Sequence, residues 1–354
     1  MILPTVREGC YCPENRFSDV EQATYTCDLK GDVMAFLDSS QTTALMDDGY
    51  LVLDGVLDVQ RDLQPVLDGY EVVLEELAVT LHQRGEISST FADLPFGQRL
   101  IRITRERGRS VSQHFDISLP QTGVRADTPM HVGPACFNLL TNSNLLDIAE
   151  SIIGPDIYCS PVGHVRMKLP EGTISAGDGM MAKIPWHQDN GVVLEEADDA
   201  EVLTVWLPLT EATVENGCLQ VIPAPRNTDL MAHCPSSSKG AHIPDKYVPA
   251  DAVVSLPTRP GSILLMHPRT PHSSLENSTT DQVRISMDLR YQPVGTPTGR
   301  PHFPGFVARS RTRPQDVLSD AAAWSAMWHT ARADLAAGST PSFNRWSADS
   351  PVCA

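Results

Sequence analysis

The sequence has too little positive charge for a protein whose task is to neutralise phosphates. Its 354 residues contain 27 Lys and Arg against 44 Asp and Glu, which gives a formal net charge of −17. Nucleic acids and anionic membrane surfaces attract proteins of the opposite sign. The composition therefore predicts no nucleic-acid partner and no membrane partner.

Long apolar runs are also missing. No stretch approaches the roughly 18 apolar residues that a membrane span needs, although a hydrophobic fraction of 41% is typical of a globular protein. The opening residues MILPTVREGC lack the basic region and apolar core of a secretory signal peptide. We therefore expect a soluble protein of the cytoplasm.

Cysteines are sparse as well. The chain has 8 of them, too few for a disulfide scaffold, and none has the paired CxxC spacing of a zinc site. Cys10 and Cys12 form a CxC pair, which we interpret as two ordinary thiols. The cysteines thus predict neither a disulfide framework nor a metal clip.

Helical periodicity occurs before and after the middle of the chain. Residues 1–45 show none and are interpreted as an irregular extension without assigned function, ahead of a single domain over residues 46–354. Apolar residues repeat at helical spacing over residues 63–81, and again from Ser143, the expected cap, to Gly154. A third helix is expected after Pro314 and forms a helical cover over about residues 312–338, with Trp324 and Trp328 in the core.

The middle of the chain, about residues 155–295, has the pattern of short strands broken by Gly, Pro and Asn. The candidate strands are residues 162–169, 202–209, 217–222, 252–256, 262–266 and 283–291. Many short strands at this spacing indicate a sandwich or barrel. The Asn216-Gly217 pair before an alternating strand resembles a hairpin turn, and the acidic run over residues 195–201 is interpreted as a solvated loop or a lid.

A metal site is suggested by the segment Trp186-His187-Gln188-Asp189. On an extended segment, His187 and Asp189 point to the same side and can reach one cation. His272, after the apolar strand at 262–266, supplies a third ligand. Two imidazoles and one carboxylate form the facial triad of non-haem iron(II) oxygenases, which keeps three coordination positions open and favours iron(II) over zinc. Either histidine on its own is also compatible with an ordinary core position.

Arg284 opens an alternating strand whose polar face comprises Arg284, Ser286, Asp288 and Arg290. A guanidinium inside a barrel needs an anion, and a dicarboxylate that chelates iron through one end offers its far carboxylate. The alternative for Arg284 is a structural ion pair with Asp288.

With these motifs in order, the chain resembles the phytanoyl-CoA dioxygenase family of iron(II)/2-oxoglutarate-dependent oxygenases. The resemblance covers about residues 45–295. It is carried by residues 47–57 (DDGYLVLDGVL), 145–154, 186–189 (WHQD), 216–223 (NGCLQVIP), 260–262 (PGS), 272–278 and Arg284. It implies a mainly β fold with helical cover around a double-stranded β-helix, the cupin-like jelly roll. It also implies that Fe(II), 2-oxoglutarate and dioxygen are used, with release of succinate and CO2.

The resemblance assigns roles to individual residues. His187, Asp189 and His272 would be the iron ligands, and Arg284 would anchor the far carboxylate of 2-oxoglutarate. Ser274 would assist that anchor, and Trp206 matches an aromatic residue near the co-substrate. His164 competes for a metal role, but a fourth protein ligand would close a position that the chemistry needs, so we interpret it as a co-substrate or substrate contact.

Substrate must then enter from the mouth opposite Arg284. The residues expected there are Met181, Lys183, Asn190, Val192 and, for an anionic group, Arg290. An ion pair with Asp288 or another barrel carboxylate is the alternative for Arg290. No Lys- or Arg-dense patch suggests a CoA nucleotide, so a small organic molecule with a C–H bond to be hydroxylated is favoured. Halogenation is disfavoured because Asp189 is present.

Two other functions remain open from the sequence. The same three ligands could hold zinc in a hydrolase or isomerase that does no redox chemistry. The chain could also be an inactive family member that serves as a binding module. The intact triad and Arg284 argue against the second, because an inactive member is expected to lose them.

Overall fold

The computed structural model describes residues 36–173, 183–236, 240–338 and 345–353. These described residues belong to one compact unit. No helix among them is long and apolar enough to cross a membrane. Two antiparallel sheets face each other as a jelly roll, and the helices pack on the outside of the larger sheet.

The larger sheet has seven strands. In spatial order they are β1 (Tyr50–Leu53), β7 (Ile263–Met266), β4 (Leu203–Pro208), β9 (Arg284–Pro293), β2 (Asp156–Cys159) and β10 (Phe306–Ser310), and β3 (His164–Lys168) also pairs with β9. The smaller sheet has the order β6 (Val254–Leu256), β5 (Leu219–Val221) and β8 (His272–Ser274). The fold expected from the resemblance is confirmed.

The alternation of β9 explains why the larger sheet has two different faces. Ile285, Met287 and Leu289 lie in the main apolar core beneath the helices. The intervening Arg284, Ser286 and the other polar residues of β9 are buried on the opposite face, because successive side chains of a strand point to opposite sides. Polar groups therefore line the space between the two sheets, as the sequence predicts.

Six α-helices lie in the described part of the chain. They are α1 (Ser39–Asp48), α2 (Gln64–Gln83), α3 (Phe96–Arg107), α4 (Pro134–Leu140), α5 (Ser143–Ile153) and α6 (Ala321–Ala337). A single π-helical turn, Val59–Leu63, leads into α2, which has Pro65 in its first turn. Trp324 and Trp328 of α6 are both buried, as expected.

Helix ends differ from the expectation in three places. The cap of α5 is Asn142, whose side-chain oxygen accepts the N–H groups of Asn144 and Leu145, so Ser143 is the first helical residue rather than the cap. Helix α6 begins only after its cap Asp320, so the C-terminal helical cover is shorter than residues 312–338. Helix α1 crosses the boundary expected at residue 45, and the structure of residues 1–35 lies outside the described range.

Strands β3 to β7 lie within the predicted runs, and β9 continues two residues beyond its run, which was expected to end at residue 291. The hairpin expected at Asn216-Gly217 is wrong. Strand β4 pairs with β7 and β9 in the larger sheet, whereas β5 pairs with β6 and β8 in the smaller one. The Asn216-Gly217 segment therefore carries the chain from one sheet to the other. Gly217 has a φ of 92° there, in the left-handed region that favours glycine.

Candidate metal centre

The two histidines of the predicted triad are joined through their own backbones. His187 and His272 form an isolated antiparallel bridge, in which each N–H donates to the carbonyl of the other at 3.0 and 2.9 Å. His272 begins β8, and Asp189 begins a single 3-10 turn, Asp189–Val192. This pairing places ligands that are distant in sequence on one side of the jelly-roll interior.

The geometry suits a metal ion. One ligand atom from each of His187, Asp189 and His272 lies within 4.8 Å of the others. The Nε2 atom of each histidine is 3.9 Å from Oδ1 of Asp189. The structure thus brings together the three residues that the sequence singles out.

Hydrogen bonds behind the histidines select the tautomer that a metal needs. Nδ1 of His187 lies 2.9 Å from the carbonyl oxygen of Pro185, and Nδ1 of His272 lies 3.0 Å from that of Thr270. A carbonyl oxygen can only accept, so Nδ1 carries the proton and Nε2 keeps its lone pair. Burial and the neighbouring His272 lower the pKa of His187 to about 3, which keeps its imidazole neutral.

Asp189 is held as a carboxylate by two partners. Arg290 donates from Nε to Oδ2 at 3.1 Å and from Nη2 to Oδ1 at 2.5 Å, and the Thr204 hydroxyl donates to Oδ2. Burial alone would raise the pKa of Asp189, but the attraction of Arg290 and its hydrogen bonds outweigh it and hold the pKa well below its usual range. Asp189 is therefore ionised and fixed in orientation.

Arg290 also donates to Oδ2 of Asp288 at 2.8 Å and to the carbonyl of Val162 at 2.9 Å. Arg290 therefore forms ion pairs with carboxylates inside the barrel, which is the alternative to a substrate contact that the sequence left open. Its contacts position a metal ligand, which leaves the expectation of a substrate anion at Arg290 without support.

A second polar subsite lies at the other end of β9. Arg284 donates to the carbonyl of Gly217 at 2.9 Å and to the Ser286 hydroxyl, and its Cζ lies 5.6 Å from the ring centre of Trp206. Asp288 is not its ion-pair partner. Burial and nearby Arg166 lower the pKa of Arg284 to about 10.

Lys168 completes this subsite. It faces Arg284 in register on β3, and its Nζ donates to the Ser274 hydroxyl at 2.6 Å and to the carbonyl of Leu275. Burial, followed by repulsion from Arg284, holds its pKa well below the usual value. Over the described ranges, no carboxylate lies within ion-pair distance of Lys168 or Arg284. A buried pair of cations without a counter-ion favours an anionic ligand.

The other predicted residues divide into two groups. His164 on β3 lies outside the triad, with Nδ1 2.9 Å from Oδ2 of Asp116. Of the mouth residues, Lys183 is exposed and Val192 is half-buried, whereas Met181 lies outside the described residues. Asn190 is buried, and its side-chain amide donates to the carbonyl of Asp198 at 3.1 Å, so it supports the loop that follows Asp189.

The alternation of His164, Arg166 and Lys168 places three basic groups on one face of β3, which resembles the family strand that flanks 2-oxoglutarate. Sequence reasoning gave Lys168 no separate role there, and it missed Thr204 and Asp116. Nothing in the sequence indicated Asp116, which lies in a loop and reaches His164 from a distant part of the chain. The disulfide between Cys234 and Cys353 was missed for the same reason.

Comparisons with known proteins agree with this geometry. The phytanoyl-CoA dioxygenase family model matches residues 45–286. The bovine (Bos taurus) phytanoyl-CoA dioxygenase domain-containing protein 1 is 24% identical over 262 residues, which cover 69% of this chain and 86% of the relative. The mouse (Mus musculus) protein of the same name is 26% identical over 264 residues, with the same coverage of both chains.

A solved structure supports the fold. The apo form of the non-heme monooxygenase ThoJ superposes with a TM-score of 0.53 at 16% identity, covering 82% of this chain and 95% of that one. At such identity the likeness concerns the fold alone. The match to the family model, by contrast, extends over most of the chain and includes all three candidate ligands and Arg284. The chain belongs to the phytanoyl-CoA dioxygenase family.

Proposed function

We propose that the protein is an iron(II)- and 2-oxoglutarate-dependent oxygenase that hydroxylates a C–H bond of a small organic molecule and releases succinate and CO2. One observation carries the proposal. His187, Asp189 and His272 converge in the same interior that buries Lys168 and Arg284, and no carboxylate among the described residues pairs with either cation. A metal centre and a separate site for a carboxylate are what a chelating dicarboxylate requires.

The donor set fits iron(II). Two neutral imidazoles and one carboxylate bind one face of the ion and leave positions for other ligands. A structural zinc site, by contrast, takes four protein ligands. Backbone carbonyls orient both imidazoles, and Arg290 with Thr204 orients the carboxylate, so the chain holds all three donors in place before any metal arrives.

The buried cations fit the far carboxylate of 2-oxoglutarate. Arg284 offers a planar fork, and Lys168 and the Ser274 hydroxyl offer further donors beside it. Trp206 packs against the guanidinium and belongs to the apolar cluster between the sheets, which excludes water from this end. Bound iron(II) and 2-oxoglutarate together supply the activation of dioxygen and the oxidation of the C–H bond.

The substrate remains a proposal at the level of class. We retain Met181, Lys183 and Val192 as contacts at the mouth, His164 as a substrate or co-substrate contact, and Asn190 as a support for the loop behind it. The net charge of −17 argues against a polyanionic substrate such as a CoA ester. The cytoplasmic location stays a prediction, because disulfides such as Cys234–Cys353 are uncommon in that compartment.

Anaerobic reconstitution tests the proposal. The purified protein is loaded with Fe(II) without oxygen, its metal content is measured, and succinate release from 2-oxoglutarate is followed after air is admitted. One iron per chain and slow succinate formation without substrate are expected. Preference for zinc with no succinate would favour a hydrolase or isomerase, and the absence of metal binding would favour an inactive binding module.

Variants of the ligands sharpen the test. His187→Ala, Asp189→Ala and His272→Ala each remove one donor, so each is expected to abolish iron binding and succinate release while the protein stays folded. His329→Ala, at an exposed position of α6, is the matched control and keeps both. Near-wild-type activity in one ligand variant would remove that residue from the triad.

A further inference from the structure

The described C-terminal residues, 345–353, lie against the loop that carries Asp189. Arg345 donates from both Nη atoms to the two carboxylate oxygens of Asp198, at 2.5 and 2.7 Å, and lies 3.4 Å from the carbonyl of Asn190. The Trp346 indole donates to the carbonyl of Gly191 at 2.6 Å. Both ends of residues 189–198, called here the ligand loop, are thus held from outside by two consecutive side chains.

Trp346 also supports the residue between the two ligands of the WHQD motif. Its ring stacks on His233, with ring centres 5.2 Å apart and planes 23° apart. Nε2 of His233 in turn accepts the N–H of Gln188 at 3.0 Å. Because Gln188 lies between His187 and Asp189, the indole stands one residue away from the backbone that sets the spacing of both ligands.

The packing at this point leaves no free space. A Cβ placed on Gly191 would lie 2.1 Å from a ring carbon of His233, so only glycine lets the ligand loop approach the imidazole. Gly191 is therefore enclosed between the indole of Trp346 on its carbonyl and the ring of His233. Displacement of Trp346 would therefore remove a packing partner from Gly191 and from His233 at the same time.

A covalent bond fastens the far end of the segment. Cys353 is joined to Cys234, the residue after His233, across a sequence separation of 119. The C-terminal end is thereby tied to the wall on which Trp346 stacks. A cross-link of this kind limits how far the segment can move when its hydrogen bonds break.

We propose that residues 345–353 form a positioning strap that holds the ligand loop in its metal-binding conformation, with Arg345 and Trp346 as positioning residues and the Cys234–Cys353 disulfide as the fastener. Neither residue touches the metal ligands themselves. The proposal depends on the proposed function only in taking the bound metal to be iron. We therefore expect metal affinity to depend on residues that are distant from the motif in sequence, such as Trp346, which is 155 residues from its partner Gly191.

Reduction of the Cys234–Cys353 disulfide is a reversible way to loosen the strap. A dithiol reductant such as dithiothreitol supplies two electrons and two protons, the S–S bond breaks to give the thiols of Cys234 and Cys353, and the reductant closes into its own cyclic disulfide. After reduction, residues 345–353 are expected to separate from the ligand loop more often.

Hydrogen exchange of the full-length, metal-free protein tests the strap without reference to iron. Trp346→Ala, Arg345→Ala and Cys353→Ser are expected to speed the exchange of the Gln188, Asn190 and Gly191 amides at least 5-fold, while the amides of β9 stay unchanged. Trp346→Phe keeps the stacked ring and is expected to recover part of the protection. Arg313→Ala, which removes an exposed Arg–Asp pair elsewhere, is the control. Unchanged exchange of the ligand loop in all three variants would overturn the proposal.

Cobalt(II) titration then measures metal affinity directly. Wild-type protein that is reduced with dithiothreitol and then separated from the reagent without oxygen is expected to bind Co(II) with the same affinity as the untreated Cys353→Ser variant, about 5- to 20-fold weaker than the oxidised wild type. The same treatment of Cys353→Ser should change nothing further. Equal Co(II) affinity in the oxidised and reduced wild type would overturn the proposal. Failure of every form to bind Co(II) would refute the metal centre instead, and the exchange experiment would then decide on the strap alone.

Discussion

Lys168 and Arg284 lie opposite each other in register on β3 and β9, both buried, and both without a carboxylate partner over the ranges that the structure describes. Burial lowers the pKa of both groups, and repulsion adds to the fall, from Arg284 in the case of Lys168 and from Arg166 in the case of Arg284. A dianionic ligand with a free carboxylate would relieve that repulsion. Changes at Lys168 or Arg284 are therefore expected to affect 2-oxoglutarate affinity more than any other property.

Arg284→Lys is expected to weaken 2-oxoglutarate binding by about 1–3 kcal/mol, because the charge stays while the planar fork is lost. Fe(II) affinity should barely change. Titration of the anaerobic iron-loaded protein with 2-oxoglutarate measures both, and Arg311→Lys on the surface is the control. Unchanged 2-oxoglutarate affinity in Arg284→Lys would show that Arg284 is not the anchor.

Arg290→Leu is expected to lower the free energy of unfolding by about 3–5 kcal/mol, since Asp189 and Asp288 would remain buried without their common partner. Fe(II) binding should weaken as well, because Asp189 loses the contact that orients it. Urea unfolding measures the first effect. Arg313→Leu removes an exposed ion pair instead and should cost less than about 1 kcal/mol. Similar costs for the two variants would contradict the buried network.

The sequence could single out the three residues that the structure brings together, because their signal is local or positional. His187 and Asp189 are two residues apart on an extended segment, and the alternation of β9 shows which of its residues share a face. The contacts that complete the site are not local. Lys168 meets Ser274 across 106 residues, and no periodicity indicates which hydroxyl a buried ammonium will reach. The hairpin at Asn216-Gly217 failed because a turn signal does not specify the sheet that the next strand joins.

Gly217→Ala tests how tightly the chain is packed where it passes from the larger sheet to the smaller one. A Cβ there would lie 2.4 Å from Cδ of Lys168 and 2.6 Å from the carbonyl oxygen of Leu275. Gly295 has a similar φ of 90° with open space around it, so Gly295→Ala measures the backbone strain alone. Urea unfolding is expected to show an additional loss of about 1–3 kcal/mol for Gly217→Ala. Equal losses would mean that Lys168 moves aside freely.

Stability should fall as the pH is lowered from about 6.5 to 4. Burial lowers the pKa of His233 to about 4, whereas in the unfolded chain it is near the ordinary value of about 6.5. Within that window the unfolded state holds one proton more, so the free energy of unfolding decreases with falling pH, by up to about 1.4 kcal/mol per pH unit. His233→Phe keeps a ring beneath Trp346 and should give a shallower slope in urea unfolding at pH 4.5, 5.5 and 6.5. The same slope in both proteins would show that folding does not lower the pKa of His233.

The ligand carboxylate and the residues that hold it come from remote parts of the chain. Asp189 meets Arg290 across 101 residues, and Gln188 meets Arg269 across 81. Contacts of such high contact order form slowly, because a long loop must close before they contribute any stability. Because Arg290 lies on β9, the metal centre is expected to assemble only once that strand has paired in the larger sheet. Iron added to a refolding chain should leave the rate of sheet formation unchanged and bind only to the finished jelly roll.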